Sequence, residues 1–235
     1  MMMSEPVTHH VYILHSRNYR ETSLLADIFS KEEGRYSLVI RGAKSRKSRY
    51  QGLIQPFSPM LVTSYGKGEL KTAGAIDFTH RSWRIKGEHL LIGLYVNELL
   101  YRVLGKFDQL PDLYCDYEKL LAELEKDVFE TPFLREFELS LLANLGYGIT
   151  FDFDVRTQKN IRPDAQYRFV AEEGFHSFVD QVDLENTFPG EHLLAIASGE
   201  YSGDAGKILK RVVRKSLQPL LGEKPLKSRS LFEGR

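Results

Sequence analysis

The chain has 235 residues, 42% of them hydrophobic and 27% charged, a composition that predicts a sizeable core and two packed domains. No run of about 18 apolar residues occurs and Cys115 is the single cysteine, so a membrane-spanning helix, an internal disulfide and a thiolate metal cluster are all excluded. The formal net charge is zero, which excludes a uniformly basic surface but not a local one.

The charges are divided unevenly along the chain. Residues 34–68 hold seven basic residues and no acid, residues 87–193 hold 21 acidic and 9 basic residues, and residues 207–235 hold nine basic and two acidic residues. This basic–acidic–basic order favours contact with a polyanion at both ends over a surface that is merely solvated, which would intermix the signs. The first residues lack the basic and apolar stretches of a signal peptide, and a single cysteine fits a reducing compartment, so we expect a cytoplasmic protein.

Five short strands are predicted in the first eighty residues, at 11–14, 22–29, 36–40, 57–65 and 69–78. A polar break at 16–21 separates the first two strands. Gly66-Lys67-Gly68 is typical of a three-residue hairpin connection, because glycine supplies unusual backbone angles. Five strands with regular turn signals predict a small barrel of the size of an OB-fold, a domain that we place at residues 1–80.

An amphipathic pattern begins near Glu88 and predicts a second, mostly α-helical domain over residues 81–235. Its helices are expected near 88–103, 111–126, 131–146, 193–197 and 205–221, with Thr131 as the N-cap of the third and Pro132 as its first helical residue. Residues 148–190 are polar, Asp-rich and aromatic without a helical period, and we interpret them as an irregular insert or small strands. The predicted fold class is therefore α+β, a five-stranded OB-fold barrel followed by a helical domain with a small irregular insert.

Two basic elements are candidates for phosphate contact. The first is the loop at residues 41–49, where five cations (Arg41, Lys44, Arg46, Lys47 and Arg49) alternate with small residues that let the backbone approach a strand closely. Nearby aromatic residues either stack on bases or fill the barrel core; we favour the core for Phe57 and leave both possibilities open for Tyr36 and Tyr65, with Tyr50 also a stacking candidate. The second element is a helix face formed by Lys207, Lys210, Arg211, Arg214 and Lys215, which contains no acid and which Lys224, Lys227 and Arg229 follow.

Catalytic and metal-binding patterns are weak. His9, His10 and His15 lie near one another, but His10 and His15 differ in strand parity and no third zinc ligand is evident. Asp152 and Asp154 alternate as a magnesium pair would, although a solvated loop explains them better. No phosphate-binding loop and no nucleophile motif occurs, and Cys115 is expected in a helix core. We therefore expect no catalytic residue, no metal and no cofactor.

Ten short segments resemble the RecO family of bacterial recombination-repair proteins. Two of them are Arg41-Gly42-Ala43-Lys44-Ser45 and Lys224-Pro225-Leu226-Lys227-Ser228-Arg229, and the others lie at 15–17, 21–25, 33–35, 55–57, 68–71, 95–100, 135–139 and 145–148. The segments occur in order over nearly the whole chain, which makes the resemblance specific although each is short.

The resemblance implies a nucleoid-associated, non-enzymatic protein with an N-terminal OB-fold and a C-terminal helical domain. It also implies binding to single- and double-stranded DNA, annealing of strands coated by single-strand-binding protein, and work with RecR to load RecA. Many family members carry a four-cysteine zinc module where this chain has residues 148–167. Because this stretch has no cysteine, we expect packing around Phe151, Phe153 and Tyr167 to replace the metal.

We predict DNA contacts from Arg17, Arg35, Arg41, Lys44, Arg46, Lys47, Arg49, Lys67, Lys71, Lys207, Lys210, Arg211, Arg214, Lys215, Lys227 and Arg229. Arg135 stands beside apolar residues on an otherwise acidic helix and is expected to hold the carboxylate at the end of the acidic tail of single-strand-binding protein, since the resemblance places a tail-contacting arginine there. Spacing alone leaves a surface pair with Glu138 equally open. The competing functions are a metal-dependent nuclease that uses Asp152 and Asp154, and an RNA-binding OB-fold protein.

Overall fold

The computed structural model describes residues 7–46, 48, 50, 52, 54–79, 82–178 and 186–228. The chain divides into two compact units, one formed by Met1–Phe129 with Pro225–Arg235 and the other by Glu130–Lys224. The domain boundary expected after residue 80 stays a prediction. Two helices that follow residue 80 belong to the same compact unit as the strands.

The first unit contains a closed five-stranded barrel, as predicted. Its strands are β1 (Val7–Tyr19), β2 (Ser23–Ser30), β3 (Gly34–Ile40), β4 (Met60–Tyr65) and β5 (Leu70–Phe78). They follow one another round the barrel in the order β1-β2-β3-β5-β4, with β3 and β5 parallel and the other described pairs antiparallel. The two glycines of the β4–β5 connection both have positive φ angles, which confirms the hairpin prediction.

Alternate residues of each strand point into the barrel and form its core. Tyr36, Leu38 and Ile40 of β3 are buried there together with Val11, Ile13, Ala26, Ile28, Met60, Val62 and Ile76. The predicted polar break at 16–21 is wrong in part, because the pairing of β1 with β2 continues as far as Tyr19 opposite Ser23. Residues 57–59 precede β4 rather than belonging to it, and Phe57 has a positive φ angle of 64°.

Two helices of the first unit, α1 (Gly87–Val103) and α2 (Pro111–Leu124), cover part of the outer barrel surface. The rings of Tyr114 and Tyr117 lie 5.1–5.5 Å from that of Tyr12. Tyr114 also contacts Phe29, with ring centroids 5.5 Å apart. Cys115 on α2 is only half-buried, so its assignment to the helix core was wrong.

The second unit combines three helices with a small sheet. The helices are α3 (Thr131–Asn144), α4 (Gly190–Ala197) and α5 (Gly203–Leu221). The prediction for the start of α3 was one residue late, because Glu130 is the N-cap and Thr131 is already helical. None of the described helices has the length and apolar character needed to cross a membrane.

The segment interpreted as an irregular insert is a five-stranded sheet. Its strands are β6 (Phe153–Asp154), β7 (Lys159–Asn160), β8 (Gln166–Val170), β9 (Gly174–Ser177) and β10 (Thr187–Pro189), in the order β10-β8-β9-β6-β7. The other interpretation of this segment, small strands, is therefore correct. Phe175 packs against Phe151, Phe169 and Phe188 at centroid distances of 5.0–6.0 Å, so an aromatic cluster fills this part of the unit.

Candidate nucleic-acid interface

A groove of about 840 Å³ opens at one end of the barrel surface. Its walls come from the β1–β2 turn, the end of β3 and the start of β5. The loop after β3 is fixed beside this groove because the backbone N–H of Lys44 donates to the carbonyl of Thr22 at 2.9 Å. Arg41 lines the groove, and Lys44 and Arg46 follow it as exposed side chains. Three of the five predicted loop cations are thus exposed, whereas Lys47 and Arg49 lie outside the described residues.

Two groove residues, Tyr19 and Arg20, were missed by the sequence interpretation. Arg20 is in the left-handed backbone region at the tip of the β1–β2 turn (φ 52°), and its guanidinium lies 5.3 Å from the centre of the Tyr19 ring. The signal that could have found them is the basic and aromatic run 17–20 just before a turn. Because that run was interpreted as a polar break, its residues were not assigned to a strand face.

The four other barrel candidates fall into two groups. Arg17 on β1 and Lys67 in the β4–β5 connection are exposed. Arg35, in contrast, donates from Nε to the carbonyl of Leu104 at 2.9 Å, and its guanidinium lies 5.7 Å from the centre of the Tyr101 ring. Lys71 pairs with Glu33 and lies 4.8 Å from the centre of the buried Tyr36 ring. Arg35 and Lys71 therefore serve the packing of the first unit, and we leave them out of the candidate interface.

The aromatic residues near the loop differ in how far their side chains are exposed. Tyr36 has no exposed surface and Phe57 is buried, so neither is open to a base. Tyr50 is half-buried, with its ring 6.4 Å from that of Phe78. Tyr65 is 37% exposed. Stacking by Tyr36 is thus excluded because its ring lies inside the barrel. Phe57 is buried as expected, but its ring lies against Gly93 of α1 rather than in the barrel core cluster.

The second basic element lies on α5, and its predicted residues do share one side of the helix. The expectation that this side has no acidic neighbour was wrong, because Lys207 pairs with Asp204 at 2.8 Å. Arg211 packs over the Phe188 ring at 4.7 Å, and Lys215 is half-buried. Lys210 and Arg214 are exposed, which leaves them as the two best-placed cations of this element. Lys227 is exposed in the first unit, and Arg229 lies outside the described residues.

Arg135 is buried, with 5% of its surface exposed, and it pairs with Glu138 one turn further along α3. Glu138 is 1% exposed, so the pair with Glu138 that the spacing allowed does form, but in the interior rather than on the surface. The Nε of Arg135 is buried and has no hydrogen-bond acceptor among the described residues. The pKa of the nearby Lys210 ammonium is lowered by partial desolvation and, next, by the positive charges of Arg214 and Arg135. Among these side chains of α3 and α5, the positive charges of Arg135, Lys210 and Arg214 therefore outnumber the one negative charge of Glu138.

Of the two carboxylates considered for a nuclease, Asp154 has a structural role. Asp154 is buried, and its Oδ1 accepts hydrogen bonds from the backbone N–H groups of Arg156 and Ser177 at 3.0 and 3.2 Å, while its Oδ2 accepts from the Thr157 hydroxyl at 2.7 Å. Burial alone would raise the pKa of the Asp154 carboxyl, but these hydrogen bonds outweigh it and hold that pKa below its ordinary value. Asp152 is exposed. The two groups therefore do not form a matched pair of metal ligands.

The three histidines of β1 all lie beside carboxylates, and two of them share Glu32. His10 contacts Glu32 at 2.6 Å, and the buried His9 lies 3.7 Å from Glu32 and 3.3 Å from Glu33. His15 lies 3.8 Å from Asp27. Within the described residues, no group of three or more His, Cys, Asp or Glu side chains has the arrangement that a metal ion needs. The histidines of β1 therefore offer no metal centre in the part of the chain that the structure describes.

Comparison with known proteins identifies the family. The model of the N-terminal part of recombination protein O matches residues 3–80, and the model of its C-terminal part matches residues 86–230. Curated proteins named DNA repair protein RecO from Salmonella dublin, Salmonella newport and Salmonella typhi are each 40% identical to the chain over 223 residues, which is 94% of this chain and 91% of theirs. Matches of this extent confirm the resemblance that the short segments indicated, and the chain belongs to the RecO family.

Proposed function

We propose that the chain is a DNA-binding recombination mediator that acts in DNA repair, anneals complementary single strands and helps to load RecA onto strands coated by single-strand-binding protein. Family membership supports the role in repair, and its site of action would be the cytoplasm, at the nucleoid. The observation that carries the DNA-binding part is that Arg20 and Arg41 line the barrel groove. The first unit also has four exposed cations on β1, on the loop after β3 and in the β4–β5 connection: Arg17, Lys44, Arg46 and Lys67.

Annealing requires no bond chemistry, and the arrangement suits it. Two phosphate backbones repel each other, so a cationic surface lowers the cost of bringing them together and base pairing then supplies the favourable free energy. The first unit offers the groove cations and Lys227, and the second unit offers Lys210, Arg211, Arg214, Lys207 and Lys215 on α5. Each unit therefore has its own candidate surface for a strand, single or double.

For the tail of single-strand-binding protein, we propose a receptor on α3 and α5. The surplus positive charge around Arg135, Lys210 and Arg214 would attract a terminal carboxylate, and the buried Nε of Arg135 is a donor that lacks an acceptor within the described part of the chain. Because Arg135 is almost fully buried, the tail would meet Lys210 and Arg214 first. RecR would be the further partner in RecA loading.

The non-enzymatic assignment and its alternatives are tested by one set of reactions. Annealing of complementary strands would be measured with bare strands, with strands coated by the cognate single-strand-binding protein, and with the same protein lacking its tail. We expect annealing to persist in chelator without cut products, and the coated reaction to depend on the tail. Magnesium-dependent cleavage would support the nuclease alternative, and stronger binding of RNA than of matched DNA strands would support the RNA-binding alternative.

A further inference from the structure

The C-terminal segment of the first unit, residues 225–228, lies against α1. Helix α5 ends at Leu221, and the next residue, Gly222, has a positive φ angle of 64°. Pro225 has no backbone N–H with which to continue a helix, and the chain returns to the first unit at this residue. Lys227 therefore belongs to the first unit and is not part of the basic side of α5.

The carboxylate of Glu98 on α1 holds this segment with both of its oxygens. One oxygen accepts a hydrogen bond from the backbone N–H of Lys227 at 2.8 Å, and the other accepts one from the backbone N–H of Ser228 at 2.7 Å. Hydrogen bonds to an ionised acceptor are shorter and roughly twice as strong as those between neutral groups. Because both donors are backbone groups, Glu98 fixes the path of the main chain rather than the position of one side chain.

The side chains of the segment alternate between the interior and the solvent. Leu226 and Ser228 are 3% and 4% exposed, whereas Lys227 between them is exposed. The buried Leu226 side chain adds an apolar anchor to the two hydrogen bonds. With the residues on either side of it buried, Lys227 is held on the surface of the first unit.

The surroundings of Glu98 favour the charged form of its carboxyl group. Burial alone would raise the pKa of Glu98, but the hydrogen bonds from Ser228 and Lys227, together with the positive charge of Arg102 one turn further along α1, outweigh burial and lower that pKa. The carboxylate is therefore ionised at neutral pH, where it stabilises the segment. By its sign alone, an acid beside a DNA-binding surface would repel phosphates.

We infer that Glu98 is a positioning residue for DNA binding, which holds residues 225–228 on α1 so that the Lys227 ammonium contacts a phosphate at the first unit. The inference rests on the proposed DNA-binding function and deepens it by naming an acid on which a cationic contact depends. Glu98 thereby strengthens binding to a polyanion, which is the opposite of the effect of its charge.

The test measures the affinity of the full chain for a thymidine oligonucleotide by fluorescence anisotropy over a range of salt concentrations. Lys227→Ala should remove one phosphate contact, which makes the slope of log K against log salt shallower by about 0.7 and weakens binding about fivefold at about 0.1 M salt. Glu98→Ala removes both acceptors and should weaken binding by a similar factor, although it also removes a negative charge. A purely electrostatic role of Glu98 predicts tighter binding instead.

Three further variants separate positioning from a general effect of the charge. Glu98→Gln removes the same charge but keeps one acceptor oxygen, so its affinity should lie between those of the wild type and Glu98→Ala. The double variant Glu98→Ala with Lys227→Ala should bind no more weakly than Lys227→Ala, because Glu98 acts through Lys227. Glu88→Ala, which removes an exposed acid from the first turn of the same helix, is the matched control and should not weaken binding.

Hydrogen exchange measures directly how firmly the segment is held. The amides of Lys227 and Ser228 should be protected in the wild type, partly protected in Glu98→Gln and unprotected in Glu98→Ala, while the amides of β1 and β2 exchange as in the wild type. Circular dichroism and Trp83 fluorescence check that the fold is retained. If Glu98→Ala does not fold, the nearly isosteric glutamine variant decides, because it must still bind DNA less tightly than the wild type.

The failures of the two proposals differ. Unchanged or tighter DNA binding by Glu98→Ala, with the amides of Lys227 and Ser228 unprotected, would overturn the positioning role. So would equal protection of these amides with and without the Glu98 carboxylate, unchanged binding by Lys227→Ala, or a further loss of affinity in the double variant. In each of these cases the DNA-binding function stands if Arg41→Ala with Lys44→Ala weakens binding and reduces its salt dependence. If the wild type binds no DNA, both proposals are wrong.

Discussion

Replacing Arg135 by alanine should destabilise the second unit strongly, which makes this residue a demanding test of the structure. Arg135 is 5% exposed and Glu138 is 1% exposed, so the substitution would leave a carboxylate buried without its guanidinium partner. Removal of one partner of a buried ion pair typically costs about 3–5 kcal/mol, because the remaining charge is desolvated and no longer compensated. The Lys210 ammonium lies close enough to Glu138 to take up part of its charge, so we expect a loss near the lower end of that range.

The double variant Arg135→Met with Glu138→Leu should recover most of that stability. Both charges are then absent, and buried ion pairs replaced by apolar side chains of similar volume often change stability little or improve it. Tryptophan fluorescence would miss the effect, since the only tryptophan, Trp83, belongs to the other unit. The measurements are therefore hydrogen exchange of the α3 and α5 amides and circular dichroism during urea unfolding.

The same pair of variants separates folding from partner binding. If the second unit of Arg135→Ala loses less than about 1 kcal/mol, the buried pair described here is wrong, because a surface pair is worth that little. If the double variant folds normally, it supplies the comparison for the tail proposal. It should anneal bare strands as the wild type does, but it should lose about 2–5 kcal/mol of affinity for the tail of single-strand-binding protein, the usual cost of removing one partner of a buried charge pair.

Three further outcomes follow from the structure. Gly34→Ala should lower the free energy of unfolding by about 2–3 kcal/mol or more, because the residue has φ 73° and the new Cβ would lie 2.0 Å from the Asp108 carbonyl oxygen. Unfolding in urea followed by Trp83 fluorescence measures this loss. An unchanged unfolding midpoint would contradict the geometry. Asp154→Ala should lower the free energy of unfolding by about 2–4 kcal/mol at neutral pH. The pKa of Asp154 is lowered in the folded state. The stability that its carboxylate contributes is therefore complete above the unfolded-state pKa of about 3.9 and is lost as the pH falls through the folded-state pKa. The alanine variant should lack this acid-dependent loss of stability. Purified, tag-free protein should hold well under one zinc per chain by elemental analysis, and a ratio near one that survives dialysis would refute this.

The barrel and the helices could be predicted because their hydrophobic patterns extend over enough residues to be recognised. Strand β4 and the first five residues of β3 show an alternation of buried and less buried side chains, and the two glycines around Lys67 indicate a hairpin by themselves. The sheet of the second unit could not be predicted in the same way. Its strands β6 and β7 have two residues each and β10 has three, so no alternation can be recognised, and their pairing depends on contacts distant in sequence.

The candidate site shows where sequence reasoning stopped. The parity of Tyr36 with Leu38 and Ile40 already placed its ring inside, although the basic context drew attention to stacking. Tyr19 could not be placed, since β1 is paired irregularly between Ile13 and His15 and a shift of one residue reverses the faces of the strand. The burial of Arg135 depends on packing against α5, about seventy residues later, which no local pattern reports.

A net charge of zero is compatible with binding to DNA because the acids and the cations are used differently. Several acids are taken up inside the protein: Glu33 pairs with Lys71, Glu138 with Arg135, and Asp154 accepts backbone hydrogen bonds. The groove cations Arg41 and Lys44 have no such partner among the described acids. Since a polyanion responds to the local field within about 10 Å rather than to the total charge, the barrel surface presents a strand with an excess of positive charge that the overall balance conceals.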